Sequence, residues 1–148
     1  MQSHPLVVAA TGHETSDDFL ARNLEDWPVY QWCNEHLPPD AGVALLFNYG
    51  AALLDRPVLM ASVEDHVPTR YFLLTHKERS LDALAEAGAG WVVVTRVHFA
   101  HRLYPFLSEA SFNASFAAPE ALLDALLLSR ATLVYEHRRT AVYRLPER

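Results

Sequence analysis

The chain has 148 residues, with 12 Lys+Arg against 18 Asp+Glu, 51% hydrophobic residues and a single cysteine. That length fits one domain, which buries roughly 70% of the surface its unfolded form exposes, and the apolar and aromatic content excludes wholesale disorder. A formal charge of −6 argues against a nucleic-acid grip, and Cys33 alone can form neither an intramolecular disulfide nor a Cys-rich zinc site.

Met1–Pro5 carries no basic n-region, and Leu6–Ala10 is too short for a signal-peptide core. The longest uncharged run, Ala41–Leu54, is interrupted by Asn48 and Gly50 and is too short to cross a bilayer, which takes about 18–20 apolar residues. The expectation is a chain that is either cytoplasmic or cut from a longer, already inserted protein. Arg outnumbers Lys eleven to one, the bias of a GC-rich bacterial genome.

In chain order, Leu6–Ala10 predicts a short strand between Pro5 and Gly12. Thr15-Ser-Asp-Asp18 fits a capping box, opening a helix or kinked pair over about 16–37. Pro28 is suited to a helix start within that span, and Pro38-Pro39 ends it. Val43–Phe47 is a continuous apolar run, the pattern of a strand buried on both faces. Ala51–Leu54 predicts one helical turn, and Val58–Ala61 a second strand.

Lys77–Ala87 predicts a helix ending at Gly88, followed by a buried strand at Trp91–Thr95. Phe99, Leu103, Phe106 and Leu107 predict helical spacing over His98–Leu107, with Pro105 limiting it. Phe112–Phe116 reads as loop or brief strand, and Pro119 as the opening of a short helix carrying Leu122, Leu123, Leu126 and Leu127. Thr132–Glu136 and Thr140–Leu145 predict an antiparallel hairpin around His137-Arg-Arg139. The expected fold is a single α/β domain, a three-layer Rossmann-like sandwich with a mostly parallel sheet and a C-terminal antiparallel hairpin.

No catalytic signature emerges. His98 and His101 stand three apart, close enough on a helix to share a metal, but no third ligand, HExxH pattern or Cys pair accompanies them, so no metal is expected. A metal hydrolase would need that pair. Neither a glycine-rich phosphate loop nor a G-x-S-x-G elbow occurs, and Cys33 falls on an apolar face beside Trp32. The Asn113-Ala-Ser115 triplet is short enough to arise by chance. In open α/β sheets ligands settle outside the strand C-termini. On that rule the candidate ligand-binding residues are Asn48, Tyr49, Asp65, Arg96 and His98, polar loop residues that such a fold also exposes without function. No catalytic residue and no cofactor are assigned.

A set of segments in order carries a resemblance. Gly12-His-Glu-Thr-Ser-Asp-Asp-Phe-Leu20 is followed by Val29-Tyr-Gln-Trp-Cys-Asn-Glu-His-Leu-Pro38, Ala41-Gly-Val-Ala-Leu-Leu-Phe47 and Ala51-Ala-Leu-Leu-Asp-Arg-Pro57. Leu84-Ala-Glu-Ala-Gly-Ala-Gly-Trp-Val-Val-Val94, Leu133-Val-Tyr-Glu136 and Ala141-Val-Tyr-Arg-Leu145 complete the series. Together, from about Leu6 to Leu145, they resemble the C-terminal extracytoplasmic domain of bacterial polytopic glycosyltransferases of the dolichyl-phosphate-mannose–protein mannosyltransferase type, family 39. Asp17-Asp18 stands where that pattern has Arg-Glu, Leu53-Leu54 replaces an aromatic pair, and the hairpin tip lacks the usual Gly.

The resemblance implies a non-catalytic periplasmic-side domain whose parent's catalytic carboxylates and lipid-phosphate sugar site lie in a membrane-embedded region. Its implied partners are that region and a glycan or lipid-linked acceptor, with no nucleic acid. The alternative is a free cytoplasmic α/β module binding a small ligand at the strand C-termini.

Overall fold

The computed structural model describes residues 25–60, 66–97 and 99–147. The expected strand at Leu6–Ala10, the cap at Thr15–Asp18 and the first part of the 16–37 helix lie outside the described residues.

Helix α1 covers Trp27–His36, with Pro28 in its first turn, where a missing N–H loses no helical bond. Val29, Tyr30, Cys33 and Leu37 are buried along its inner face. Leu37, held extended by the proline after it, ends the helix (φ −74°, ψ 147°). The carbonyls left over there are satisfied by Arg56, whose Nη2 donates to the oxygens of Asn34 and Leu37 at 2.8 Å each. A guanidinium at the negative end of a helix dipole is favourable twice over.

The strands are β1 (Val43–Leu46), β2 (Val58–Met60), β3 (Trp91–Thr95), β4 (Thr132–His137) and β5 (Thr140–Arg144). They form one five-stranded sheet in the order β2-β1-β3-β5-β4. The pairs β2/β1 and β1/β3 are parallel, whereas β3/β5 and β5/β4 are antiparallel. The sheet is therefore parallel at one end and antiparallel at the other, with fewer parallel pairs than the sequence led one to expect.

All four residues of β1 are buried, as a strand with neighbours on both edges and side chains packed on both faces requires. Alternation sends Ala44, Leu46, Val92 and Val94 into a core with Leu73, Leu84, Leu123 and Leu127. Val43, Leu45, Val93 and Val142 face the other way, onto Trp27, Val29, Tyr30 and Cys33 of α1. Each fully buried Val or Leu adds roughly 1.5–3 kcal/mol.

The crossover from β2 to β3 holds helix α2 (Val67–His76), a short 3-10 turn, and helix α3 (Ser80–Glu86). The expected helix at 77–87 is α3 with that turn before it, and Gly88 closes it at φ 106°, where a side chain would be strained. Helix α2 was not anticipated. Its inward residues Thr69 and Leu73 sit one turn apart, but Val67, Tyr71 and Leu74 are apolar and exposed, so the stretch shows no one-sided pattern.

Two further expectations are corrected. Within His98–Leu107 the regular piece is only a 3-10 turn at His101–Leu103, because Pro105 keeps Tyr104 out of the helical region. Phe112–Phe116 is helical, neither loop nor strand. Helix α4 (Glu109–Phe112) runs through a π turn (Asn113–Ala117) into helix α5 (Ala118–Arg130). Ser108 opens this run, its Oγ accepting from the Ser111 N–H at 3.1 Å. Phe112 and Phe116, four apart, stack with centroids 5.2 Å apart, and the Arg70 guanidinium lies 3.9 Å from the Phe116 ring centre. The Arg130–Asp82 pair, at 2.7 Å, ties the end of α5 to α3.

Candidate functional site

The parallel strands end together, and the β4–β5 hairpin tip joins that end because Thr140 pairs with Thr95. Chain direction reverses here. From β1 the chain crosses to β2 on one side, and from β2 it crosses back to β3 on the other, so a switch-point crevice lies between the ends of β1 and β3.

Asn48 occupies that crevice and is 2% exposed. Its Oδ1 accepts from the Gly50 N–H at 2.8 Å and from the Tyr30 hydroxyl at 3.1 Å. Its Nδ2 donates to Thr95 Oγ1 at 2.8 Å, and Thr95 Oγ1 lies 2.9 Å from Thr140 Oγ1. Because the Gly50 N–H can only donate, the amide's orientation is fixed by its partners. Asn48 thus joins the end of β1 to α1 and β3, and the Thr95 hydroxyl extends the network to Thr140 of β5. Gly50 allows the close approach, since a Cβ there would run into the Tyr30 ring. Burial pushes the Tyr30 hydroxyl up to about 12. The Cys33 thiol is likewise pushed up to about 12 by burial, so it stays protonated at neutral pH.

Phe47 leaves β1 at φ 54°, an outlying conformation for a bulky residue, with its N–H donating to Thr69 Oγ1 at 3.3 Å. The Phe47 ring meets His66, itself at φ 54°, edge-on at 5.5 Å, and Phe99 at 6.0 Å. Tyr49 projects outward, 59% exposed, and its ring lies 4.6 Å from His66.

Of the sequence candidates, Asn48 is inside, Tyr49 stands over His66, and Arg96 is exposed just after the end of β3. Asp65 and His98 lie outside the described residues. His101 stacks on Phe112, and its Nε2 is 2.8 Å from the Leu107 oxygen, so that nitrogen donates to a carbonyl. No cluster of three metal-ligating side chains occurs among the described residues.

No protein-family model and no curated protein matches the sequence. Among solved structures, the chain is similar to the C-terminal globular domain of an oligosaccharyltransferase from Archaeoglobus fulgidus. The TM-score is 0.53 at 15% identity, covering 82% of this chain and 97% of that one. That likeness shows the fold.

One open concavity lies over the antiparallel half of the sheet. A cleft of about 500 Å³ runs between α5 and the strands, and Arg96 lines it with the hairpin-tip arginines Arg138 and Arg139. Its floor is a cross-strand row, Val94–Ala141–Glu136, set by pairing of β3 with β5 and of β5 with β4. Asp124 and Leu127 of α5 and Tyr143 of β5 complete the wall. Sequence reasoning found Arg96 and the basic tip but missed Asp124 and Glu136. Strand alternation could have placed Arg96 with Val94 and Arg139 with Ala141 on one face, but the β4–β5 register and the seat of α5 were needed for the rest.

Proposed function

We propose that this chain is a non-catalytic, extracytoplasmic domain of a membrane glycosyltransferase that transfers a sugar from a lipid-phosphate donor, of the family 39 kind its segments resemble. The observation that carries this reading is the fold likeness to the C-terminal globular domain of an oligosaccharyltransferase, spanning most of both chains. On this reading residues 1–148 are one domain of a longer protein, lying on the periplasmic face of a bacterial inner membrane. Among the described residues no helix is long and apolar enough to cross a membrane, so hydrocarbon-side donor chemistry would fall to the parent's other segments. The finer architecture we assign is a three-layer, Rossmann-like sandwich, supported by the two cores that pack on opposite faces of the sheet.

The domain's role is to position acceptor or donor against the membrane-embedded part. Exposed apolar residues on the segment leaving β1, at the start of α2 and after β3 support this. Tyr49 is 59%, Val67 51%, Leu103 67% and Phe106 81% exposed. Two aromatic and two aliphatic side chains exposed to this degree suit a contact surface. Tyr49 and Arg96 are proposed as ligand-facing members of that end, with Asp65 and His98, and Asn48 as the residue that holds it together.

The test uses the parent gene and its product. Replacing Tyr49, Leu103 and Phe106 together by Ser should leave this domain folded and reduce sugar transfer in membranes about tenfold or more, the scale of losing central aromatic anchors. Unchanged transfer, or a native gene encoding this chain without any hydrophobic segment, would overturn the reading. That second outcome would favour the free ligand-binding module, which the cleft at Arg96 supports as the second reading.

A further inference from the structure

The geometry points to the cleft between α5 and the antiparallel strands as a binding site for a sugar phosphate. This deepens the proposed function and rests on it for the biological source of the ligand; the chemistry is argued from the cleft alone.

Arg96 and Arg139 are opposite one another. Their strands pair Thr95 with Thr140, and the Arg96 N–H donates to the Arg139 oxygen at 2.8 Å. Both side chains line the cleft, and neither makes an ion pair among the described residues. Like charges directly across a strand pair repel, and a dianion held between them removes that repulsion. Arg138 adds a third guanidinium to the lining, and its ion pair with Glu25 is an exposed 3.5 Å contact. Two guanidiniums lining one cleft suit a phosphate group, since each planar fork is able to give it two parallel hydrogen bonds.

Two carboxylates define the rest of the ligand. Asp124 on α5 and Glu136 on β4 are acceptors that demand hydroxyl or N–H donors, and they repel an extended polyanion. Beside Glu136 the floor is apolar, with Ala141 kept small next to Val94 and the Tyr143 ring near it. A phosphate, several hydroxyls and a C–H face are the three features of a phosphorylated monosaccharide, and about 500 Å³ lies within the range of small-ligand clefts.

The experiment is a titration of the purified chain followed by backbone amide chemical shifts. Its arms are a hexose 1-phosphate, inorganic phosphate, a neutral methyl hexoside, and vesicles with or without a polyprenyl-phosphoryl hexose. The hexose phosphate should bind saturably and move the amides of Val94, Ala141 and Tyr143, while the methyl hexoside should not bind and inorganic phosphate should bind more weakly. The variant Arg96→Gln/Arg139→Gln should weaken binding at least about tenfold. Ala141→Leu, which fills the floor without touching charge, should do the same, so a folding defect in one variant leaves the other to decide.

Selective co-sedimentation with the lipid-loaded vesicles would support a lipid-linked source, and saturable binding of the free compound alone a soluble one. No saturable shift with hexose phosphate, equal affinity for inorganic phosphate, or binding unchanged in both variants would overturn the site. Such a failure leaves the accessory-domain reading intact, since that is decided by the parent gene and its transfer activity. A free-standing gene with binding preserved would do the reverse.

Discussion

The two seams of the sheet differ in what they do with polar groups. At the parallel seam, between β1 and β3, the crevice that open α/β sheets leave for ligands is filled by Asn48, whose amide bonds to Tyr30, Gly50 and Thr95. At the antiparallel seam, between β3, β5 and β4, the arginines and carboxylates stand around an open cleft. A satisfied, buried network holds elements in place. Arg96 and Arg139, which make no ion pair among the described residues, are available to something else. Position in the fold therefore points to the parallel crevice, while the state of the polar groups points one strand further along.

The contrast is most easily broken at Asn48. Asn48→Ala removes three hydrogen bonds at once and strands the Gly50 N–H, so urea unfolding should show a loss of about 3 kcal/mol. A loss below about 1 kcal/mol would mean the network does not hold the seam.

Alkaline pH is the second probe. Tyr30 rises from an ordinary value of 10.0 to about 12 in the folded chain, and Cys33 from 9.0 to about 12, each because burial disfavours the anion. Between the unfolded and folded values the unfolded chain has released the proton and the folded chain has not, so stability falls as pH rises. The decline should begin near pH 9 with Cys33 and steepen above 10 with Tyr30, whose share is roughly 2–3 kcal/mol by pH 12. Tyr30→Phe should remove the steeper part while leaving the decline from pH 9; an unchanged alkaline limb would place the titrating group elsewhere.

The antiparallel side should respond least. Arg138 turns the hairpin at φ 55°, where an L side chain is strained. Arg138→Gly should raise stability by about 0.5–1 kcal/mol, read as a shift in the urea midpoint, because the strain relieved slightly exceeds the added freedom of the unfolded chain. A loss of stability would show that this arginine's contacts matter to the fold.

Much of the sheet was legible from residue runs. Val43–Leu46 and Trp91–Val94 are unbroken apolar stretches, and the alternation of 132–136 and 140–145 gave the hairpin within a residue or two. What stayed hidden depended on tertiary context. Helix α2 leaves Val67, Tyr71 and Leu74 in solvent, which erases the one-sided pattern that signals a helix. Phe112 and Phe116 also fit a strand until their stacking and the Ser108 cap make them helical.

At the candidate site, the strand-end rule found Asn48 and Arg96 but could not say that one is buried and the other open. Asn48 is buried by Thr95 and Tyr30, which come from distant parts of the chain. The cleft around Arg96 needs the register that sets Ala141 between Val94 and Glu136.

The central claim, an accessory domain with its chemistry elsewhere, is tested most directly by sugar transfer in the isolated chain. The purified chain, incubated with a polyprenyl-phosphoryl hexose and a peptide or lipid acceptor, should form no product above the rate without protein. Turnover that persists in this chain and is abolished by one point substitution would contradict the account and put the catalytic groups among these residues.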